Sequence, residues 1–503
     1  MKSAMNRRKF CQATLGVALG AGLAGRAWPG VYAGMLKVDR DIDAVTSNGK
    51  EINLGQASVQ ALADALRGPL LLPGNAAYDS ARLVLNPTID KYPPLIVQPT
   101  GAADVSTAVE FASANKLVVA VKCGGHSTSG KSTCNGGMMI DLSAFRDVRI
   151  DATKQSAYVT GGSLVGQMDH ESMARGLVTT AGTVSHTGVG GLTTGGGFGR
   201  LARRYGLTLD NVIGAEVVTA DGTIRQVSAD KEPDLLWAIR GGGGNFGVVT
   251  SFEFRLHPMQ REVMGGALVF PMNRARELLE VYAEYSPIAA DEFYVDLIVM
   301  PPAGERPGMA MVGICHSGSA TDAGKALRPY RRIGKSLRDT IKPVDYVALQ
   351  RSSDSSDPRA RASYLKGGFV SEITPGLIDD LSGGLEGDPN RSTMAYFQHA
   401  GGAIGRIAAD ATAFPHRYVS HNMMCMLGWD PSQDGSQHVS WLKDYWKRIT
   451  PHTHGFYVND SGEVTTDAVN LNYLDNYPRL AEIKKRYDPD NLFRLNANIT
   501  PAA

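Results

Sequence analysis

The sequence predicts an α+β fold, and three observations carry the prediction. Between residues 96 and 142 the pattern runs strand, helix, strand, strand, which suits an α+β domain better than a doubly wound sheet. From about 265 to 450, apolar strand-like runs and helical segments read as an antiparallel sheet backed by helices. Two glycine-dense stretches, 121–130 and 182–199, each follow an apolar run and offer bare backbone to a ligand.

In chain order, Asn6-Arg7-Arg8-Lys9-Phe10 and the Gly/Ala-rich run 13–24 read as a twin-arginine export signal over residues 1–33. Val31-Tyr32-Ala33 is one cleavage site and Ala27 another; the apolar run is too short to span a bilayer. The expected location is periplasmic or extracellular. The alternative is a tail with a chance Arg-Arg pair. Residues 59–67 have helical apolar spacing, and Leu70-Leu71-Leu72-Pro73-Gly74 turns the chain. Ile96-Val97-Gln98-Pro99 is a short strand and 105–115 an amphipathic helix. Residues 118–121 form a buried, β-branched strand that delivers His126 just past its end. Residues 138–142 form the next strand, carrying Asp141.

Residues 164–175 are helical, and Gly176 is a C-cap signal. A strand over 213–219 reaches Asp221-Gly222, a hairpin turn. Residues 248–256 are another strand. Farther on, 295–300, 309–314, 393–399 and 423–427 read as strands, and 323–327 and 440–447 as helices. Residues 351–361 are polar and read as a mobile surface loop. Residues 455–459 read as a strand, and a later helix runs through Lys485.

The chain of 503 residues is long enough for two or more domains. Its 51 Lys and Arg balance 50 Asp and Glu, so charge gives no reason to propose nucleic acid or an anionic membrane as partner. Of five cysteines, Cys11 lies in the signal; Cys123, Cys134, Cys315 and Cys425 remain. Export would permit disulfides, but spacing does not decide their pairing. No Cys-x-x-Cys or spaced Cys/His set suggests a metal site.

Successive exposed N–H groups in glycine loops make concave anion sites, and two such loops suggest a long cofactor containing a diphosphate. Two other readings compete. Gly125-His126-Ser127-Thr128-Ser129-Gly130-Lys131-Ser132 matches the P-loop pattern, and Asp141 could imitate a magnesium ligand. A P-loop lysine must open a helix, whereas Thr133-Cys134-Asn135-Gly136-Gly137 is turn chemistry. A parallel crossover also needs about a dozen residues or more, and few separate Ser132 from Met138. Gly242 to Gly247 fits the dinucleotide fingerprint, but here the glycines follow a helix and open a strand. A tight turn presenting backbone to the cofactor is the better reading.

The residues Cys123-Gly124-Gly125-His126-Ser127, Gly188-Val189-Gly190-Gly191, Tyr457-Val458-Asn459 and Asp488-Pro489-Asp490-Asn491-Leu492-Phe493 resemble the berberine-bridge-enzyme-like branch of the FAD-linked oxidases. That family shares the fold of vanillyl-alcohol oxidase. The resemblance is strong over about 85–260, good in the tail and loose between. It implies a PCMH-type FAD-binding domain of two α+β subdomains over 36–264, with its core at about 90–260. A substrate domain over 265–450 roofs the flavin, and a segment over 451–503 returns to the FAD domain.

The resemblance implies FAD bonded covalently to His126. It implies contacts from Cys123, Gly124, Gly125, Ser127, Thr183, Thr187, Gly188, Gly190, Gly191, Thr194, Gly195, Gly197, Gly247, Val249, Asn459, Asn496 and Asn498. Val184 stands where many relatives carry a second attaching cysteine, so that bond is expected to be absent. His186 as a substitute is weaker than simple loop packing. Leu192 replaces a family histidine. Thr187 holds the position that tunes oxygen access and is near valine in size, which favours an open path. Tyr457, Asp460, Tyr396, Gln398 and His399 are candidates to line the substrate pocket and supply the base, with structural packing the competing role for each. Asp460 stands where relatives often place an aromatic or phenolic residue, and strand alternation allows only one of Tyr457 and Val458 to face the flavin. Arg417 is expected to be structural, pairing an acid.

The function implied is a secreted flavoenzyme that takes hydride from a CH–OH or CH–N donor, a small molecule, with O2 the expected acceptor. The alternatives are a non-catalytic flavin-binding protein and, more remotely, a P-loop ATPase.

Overall fold

The computed structural model describes residues 36–503 apart from 356, 461 and 463. The expected export signal and Cys11 lie outside the described residues. Among those described, three sheets carry the architecture. The first has four strands, in the order Leu70–Leu71, Leu95–Val97, Met138–Asp141, Val119–Lys122. Met138–Asp141 runs parallel to both its neighbours. The helix Ala102–Ala114 covers this sheet with Val105, Ala108, Val109 and Ala112, one face at helical spacing, all fully buried.

This sheet corrects one step of the sequence argument. Val119–Lys122 and Met138–Asp141 are parallel neighbours, so residues 123–137 do make a parallel crossover. No helix forms in it; turns carry the chain across. The P-loop reading therefore fails on the missing helix, not on loop length. Asp141, the imagined magnesium ligand, is buried against Lys122 at 3.4 Å and accepts from Gln98 Nε2 at 2.9 Å.

The second sheet is antiparallel, in the order Ile224–Ser228, Val212–Val218, Val248–Arg255, Ser156–Thr160, Val148–Asp151. The third, eight-stranded, carries Phe293–Met300, Arg391–His399, His421–Trp429 and Ala362–Val370 side by side along half its width. Helices Ala275–Tyr285, Ala320–Arg332, Pro375–Gly384 and Ser436–Ile449 close one face of it around Leu278, Leu327, Leu381 and Leu442. The opposite face is left to look toward the glycine loops. The four remaining cysteines are all free thiols.

The tail closes the structure. Tyr473, Leu480, Ile483 and Tyr487 join the core of the second sheet, and Leu492 and Phe493 that of the first. Lys484 anchors it with no exposed surface: its Nζ donates to Asp488 Oδ2 at 2.6 Å, Asn245 O at 2.7 Å and Phe493 O at 2.9 Å. Asp488 in turn accepts from the backbone of Leu492 and Phe493. One buried cation thus ties the turn Gly243–Asn245 to the chain end. Residues 455–459, expected as a strand, form a turn, with Asp460 N donating to Tyr457 O at 2.9 Å. Arg417, as expected, pairs an acid, holding both Asp210 oxygens at 2.8 Å.

Removing the lysine would leave a buried carboxylate uncompensated. Lys484→Met is expected to lower unfolding stability by about 3–5 kcal/mol, measured by denaturant unfolding, while exposed Lys485→Met should stay near wild type.

Candidate functional site

The site begins where two loops meet. The strand Val119–Lys122 ends at Cys123, and the loop that follows carries His126. The second glycine stretch begins as a loop, then winds into the short helix Val189–Gly195, which the sequence reading took as loop throughout. The loops touch at Gly124 and Gly188. A Cβ on Gly124 would lie 2.4 Å from Gly188 N, and one on Gly188 would lie 2.3 Å from Gly124 N. No other residue fits at either position. This contact sets His126 Nε2 2.7 Å from His186 Nδ1, with the rings 4.7 Å apart. Thr187 Oγ1 lies 3.5 Å from His126 Nδ1. Burial, and then His186, pull the His126 pKa down to about 4, so the ring is neutral at ordinary pH.

A cavity of about 330 Å³ opens between these loops, the turn at 243–247 and the tail. Cys123, Gly124, Gly125, His126, Ser127, Thr183, Thr187, Gly188, Gly190, Gly191, Thr194, Gly247, Val249, Asn459 and Asn496 line it. Gly195, Gly197 and Asn498, expected to do so, are not among its lining residues. Gly195 backs onto the Asn459 side chain, Gly197 spends its N–H on Tyr457 Oη at 2.8 Å, and Asn498 Oδ1 is buried.

The substrate-side candidates divide. Gln398, Tyr457 and Asp460 line the cavity. Tyr457 is buried, and its hydroxyl accepts from Gly197 N and Asn459 Nδ2, each at 2.8 Å, which leaves its own proton to give. Asn422 Nδ2 donates to Gln398 Oε1 at 2.8 Å and to Asp460 Oδ2 at 2.9 Å. Burial pushes the Asp460 carboxyl up to about 6. Among the residues lining the cavity, Asp460 is the sole carboxylate. His399 is a correction: strand alternation turns it away into the core, where Nε2 meets Ser286 O at 2.7 Å and the ring stacks on His421. Tyr396 is also off the cavity, its hydroxyl donating to Asp296 at 3.3 Å. The alternation expected at Tyr457 and Val458 fails, because a turn lets both line the cavity.

Several lining residues escaped the sequence reading as contacts: Gly161, Lys131, Ser132, Phe198, Tyr473, Phe493 and Leu495. Lys131 and Ser132 were visible only through the P-loop look-alike; burial lowers the Lys131 pKa to about 8. Residues 351–361 are expected as a mobile surface loop, but their start and the helix Tyr346–Arg351 ahead of them are tied to the second glycine loop. Gln350 Nε2 donates to Gly182 O at 2.9 Å, and Asp354 accepts from Ser185 N at 2.8 Å and from its hydroxyl. These bonds brace the second glycine loop from the substrate domain. Among the described residues, no group of three or more His, Cys, Asp or Glu could hold a metal ion, and no helix is long and apolar enough to cross a membrane.

Comparison with known proteins bears on this geometry. The family model described as FAD binding domain matches residues 93–228, and that described as Berberine and berberine like matches 456–500. An FAD-linked oxidoreductase of Dictyostelium discoideum is 31% identical over 413 residues, spanning 81% of this chain and 89% of its own. (R)-6-hydroxynicotine oxidase of Paenarthrobacter nicotinovorans is 29% identical, over 87% of this chain and 97% of its own. The crystal structure of 6-hydroxy-D-nicotine oxidase from Arthrobacter nicotinovorans superposes with a TM-score of 0.79 at 27% identity, covering 87% of this chain and 98% of that one.

The residues fit FAD as the cofactor. The two family models fall on two of the stretches that wall the cavity. A Cβ on Gly191 would meet no atom within 4 Å, so this lining position looks onto free space. Gly191→Ala should therefore leave the apoprotein's thermal midpoint unchanged and lower its flavin content, read as the ratio of flavin to protein absorbance. Gly188→Ala, which collides with Cys123 Sγ at 2.4 Å and with backbone, should lower both.

Proposed function

The chain belongs to the berberine-bridge-enzyme-like FAD-linked oxidoreductases, and from this we propose that it is an exported enzyme whose FAD is bonded to His126 and whose substrate is a CH–OH or CH–N donor. Dioxygen is the proposed acceptor, leaving as hydrogen peroxide. The observation that carries the reading is the shared cavity: a neutral imidazole between glycine loops and a solitary carboxylate line the same space. The relative named for 6-hydroxynicotine supports a nitrogen-bearing donor.

When bound, FAD supplies the two-electron acceptor for the donor C–H. The protein's part is to place the donor and take its proton. Gln398 and Asp460 stand side by side, bridged by Asn422, and offer polar groups to the donor's O–H or N–H. Asp460 is the proposed base. Held at about 6, it is ionised at neutral pH yet basic enough to accept a proton. Tyr457, fixed by two donors to its oxygen, can hand its hydroxyl proton toward the cavity. Thr187, small and at the cavity wall, supports access for dioxygen. The arginine pair and apolar run at the N-terminus support export by the twin-arginine route, a path that accepts folded, cofactor-loaded proteins.

The decisive experiment uses purified, processed protein. A yellow spectrum should bleach anaerobically with one class among sugars, alcohols and amines, and recover in air with peroxide release. Flavin should stay with the denatured wild-type polypeptide and leave that of His126→Ala. Asp460→Asn is expected to slow bleaching by about 10²–10⁴-fold. In the wild type, kcat/KM should fall as pH drops through about 6, because protonated Asp460 accepts no proton. Unchanged bleaching in the Asn variant would remove Asp460 from the role.

A further inference from the structure

We propose that the donor has an apolar body, and that this body lies along a methionine-lined face of the roof sheet running on from Gln398 and Asp460. The inference rests on the donor reading above and adds the chemical class of the part that does not react. In the eight-stranded sheet, residues facing away from the helix-backed core alternate with those inside it. Ile298 stands between the core residues Leu297 and Val299, and Met311 between Ala310 and Val312. Met394 precedes core Ala395, and Met426 separates core Cys425 from Leu427. All four outward side chains are half-buried. The strand register sets Met311 opposite Ile298, Ile298 opposite Tyr396, and Met394 opposite Met426, with Met300 opposite Met309 beyond them. With Met424, six of the chain's 17 methionines stand on this face. The core does not require them there, because they point away from it.

This face is continuous with the cavity. Gln398 and Tyr396 share one side of their strand; Gln398 pairs with Asn422, and Tyr396 with Met424. A Cβ on Gly367 would lie 3.4 Å from Asp460 Cβ and 3.7 Å from Met424 Cβ. The carboxylate and the first methionine thus flank the same glycine. From Gln398 to Met394 the strand covers about 13 Å at roughly 3.3 Å per residue. A donor with its reacting carbon beside Asp460 has that length of face for the rest of it.

The polar groups on the face are paired with one another. Tyr396 Oη donates to Asp296 Oδ2 at 3.3 Å, Asp296 Oδ1 accepts from Gly313 N at 2.9 Å, and Ser392 Oγ donates to Gly428 O at 3.0 Å. A sugar laid here would give up water at each hydroxyl and meet methyls and thioethers, which return no hydrogen bond of comparable strength. An alkyl or aryl body gives up only unfavourable hydration. Methionine fits such a body closely, because its unbranched, polarizable chain adapts to irregular shapes and its sulfur packs well on ring edges.

The test uses the purified, processed holoenzyme. Anaerobic bleaching of the flavin is followed with primary alcohols and primary amines from butyl to decyl, with their phenyl-terminated counterparts, and with cellobiose and chitobiose. In the series that reacts, kcat/KM should rise roughly threefold to fourfold per added methylene until the face is filled. Both sugars should be poorer than the longest donor by roughly 10²-fold or more. Met394→Gln and Met426→Gln should flatten the rise and raise KM for the longest donor roughly 10-fold, with the denaturant midpoint of unfolding at the wild-type value. Met394→Leu should keep the rise, which separates apolar contact from a general disturbance of the sheet. Sugars that outpace the longest donor, a rate indifferent to chain length, or Gln variants that keep the wild-type rise overturn the inference and leave the enzyme reading intact. A stable dimer that Met394→Gln dissociates would assign the face to a second copy of the chain and also overturn it. Bleaching by no donor of any class overturns the enzyme reading and this inference with it.

Discussion

Everything at this site hangs from the contact between Gly124 and Gly188. Two backbones approach so closely that a single methyl on either would overlap the other's main chain. The contact joins the end of the parallel strand Val119–Lys122 to the loop ahead of the helix Val189–Gly195, elements of two different sheets' surroundings. Once it forms, His126 and His186 are brought together, because His126 lies two residues after Gly124 and His186 two residues before Gly188. The cavity is then the space that the loops enclose beside the contact.

A cavity lined by bare backbone is polar and must be braced, since unpaired amides are costly away from water. The bracing comes from remote parts of the chain. Lys484 pins the turn Gly243–Asn245 and the tail together. Gln350 and Asp354 reach in from the substrate domain to Gly182 and Ser185. Asn459 spans Tyr457 and Gly191 O, joining the tail to the second glycine loop. Sheet, roof and tail therefore share polar contacts with the same loops, and displacing any one would loosen the others.

Much of this was legible in the sequence. The strands and helices followed from periodicity, and the glycine stretches marked the backbone that lines the cavity. What failed did so for physical reasons. His399 and Gln398 are adjacent in one strand, and composition cannot say which faces the roof's inner side; packing of Phe397 and His399 into the helix-backed core decides it. Tyr457 and Val458 were assigned strand geometry, but the backbone turns there, so alternation did not apply. The crossover over 123–137 is long enough for a parallel connection but makes it without a helix, and counting only from Ser132 hid that length. Asp354 had no local signal at all, because its partner Ser185 lies far away in the chain.

Burial is the largest influence on protonation in the cavity. Desolvation opposes charge on every group there, so it lowers His126 to about 4 and Lys131 to about 8 and raises Asp460 to about 6. The consequences differ with the sign of the group. At neutral pH a histidine lowered that far is a lone-pair donor, suited to forming a bond. A carboxylate raised to about 6 remains ionised and gains basicity, suited to taking a proton. The same burial thus suits the proposed attachment at His126 and the proposed base at Asp460. The separation of roles follows from which residue type each loop delivers, and it needs no further charge to maintain it.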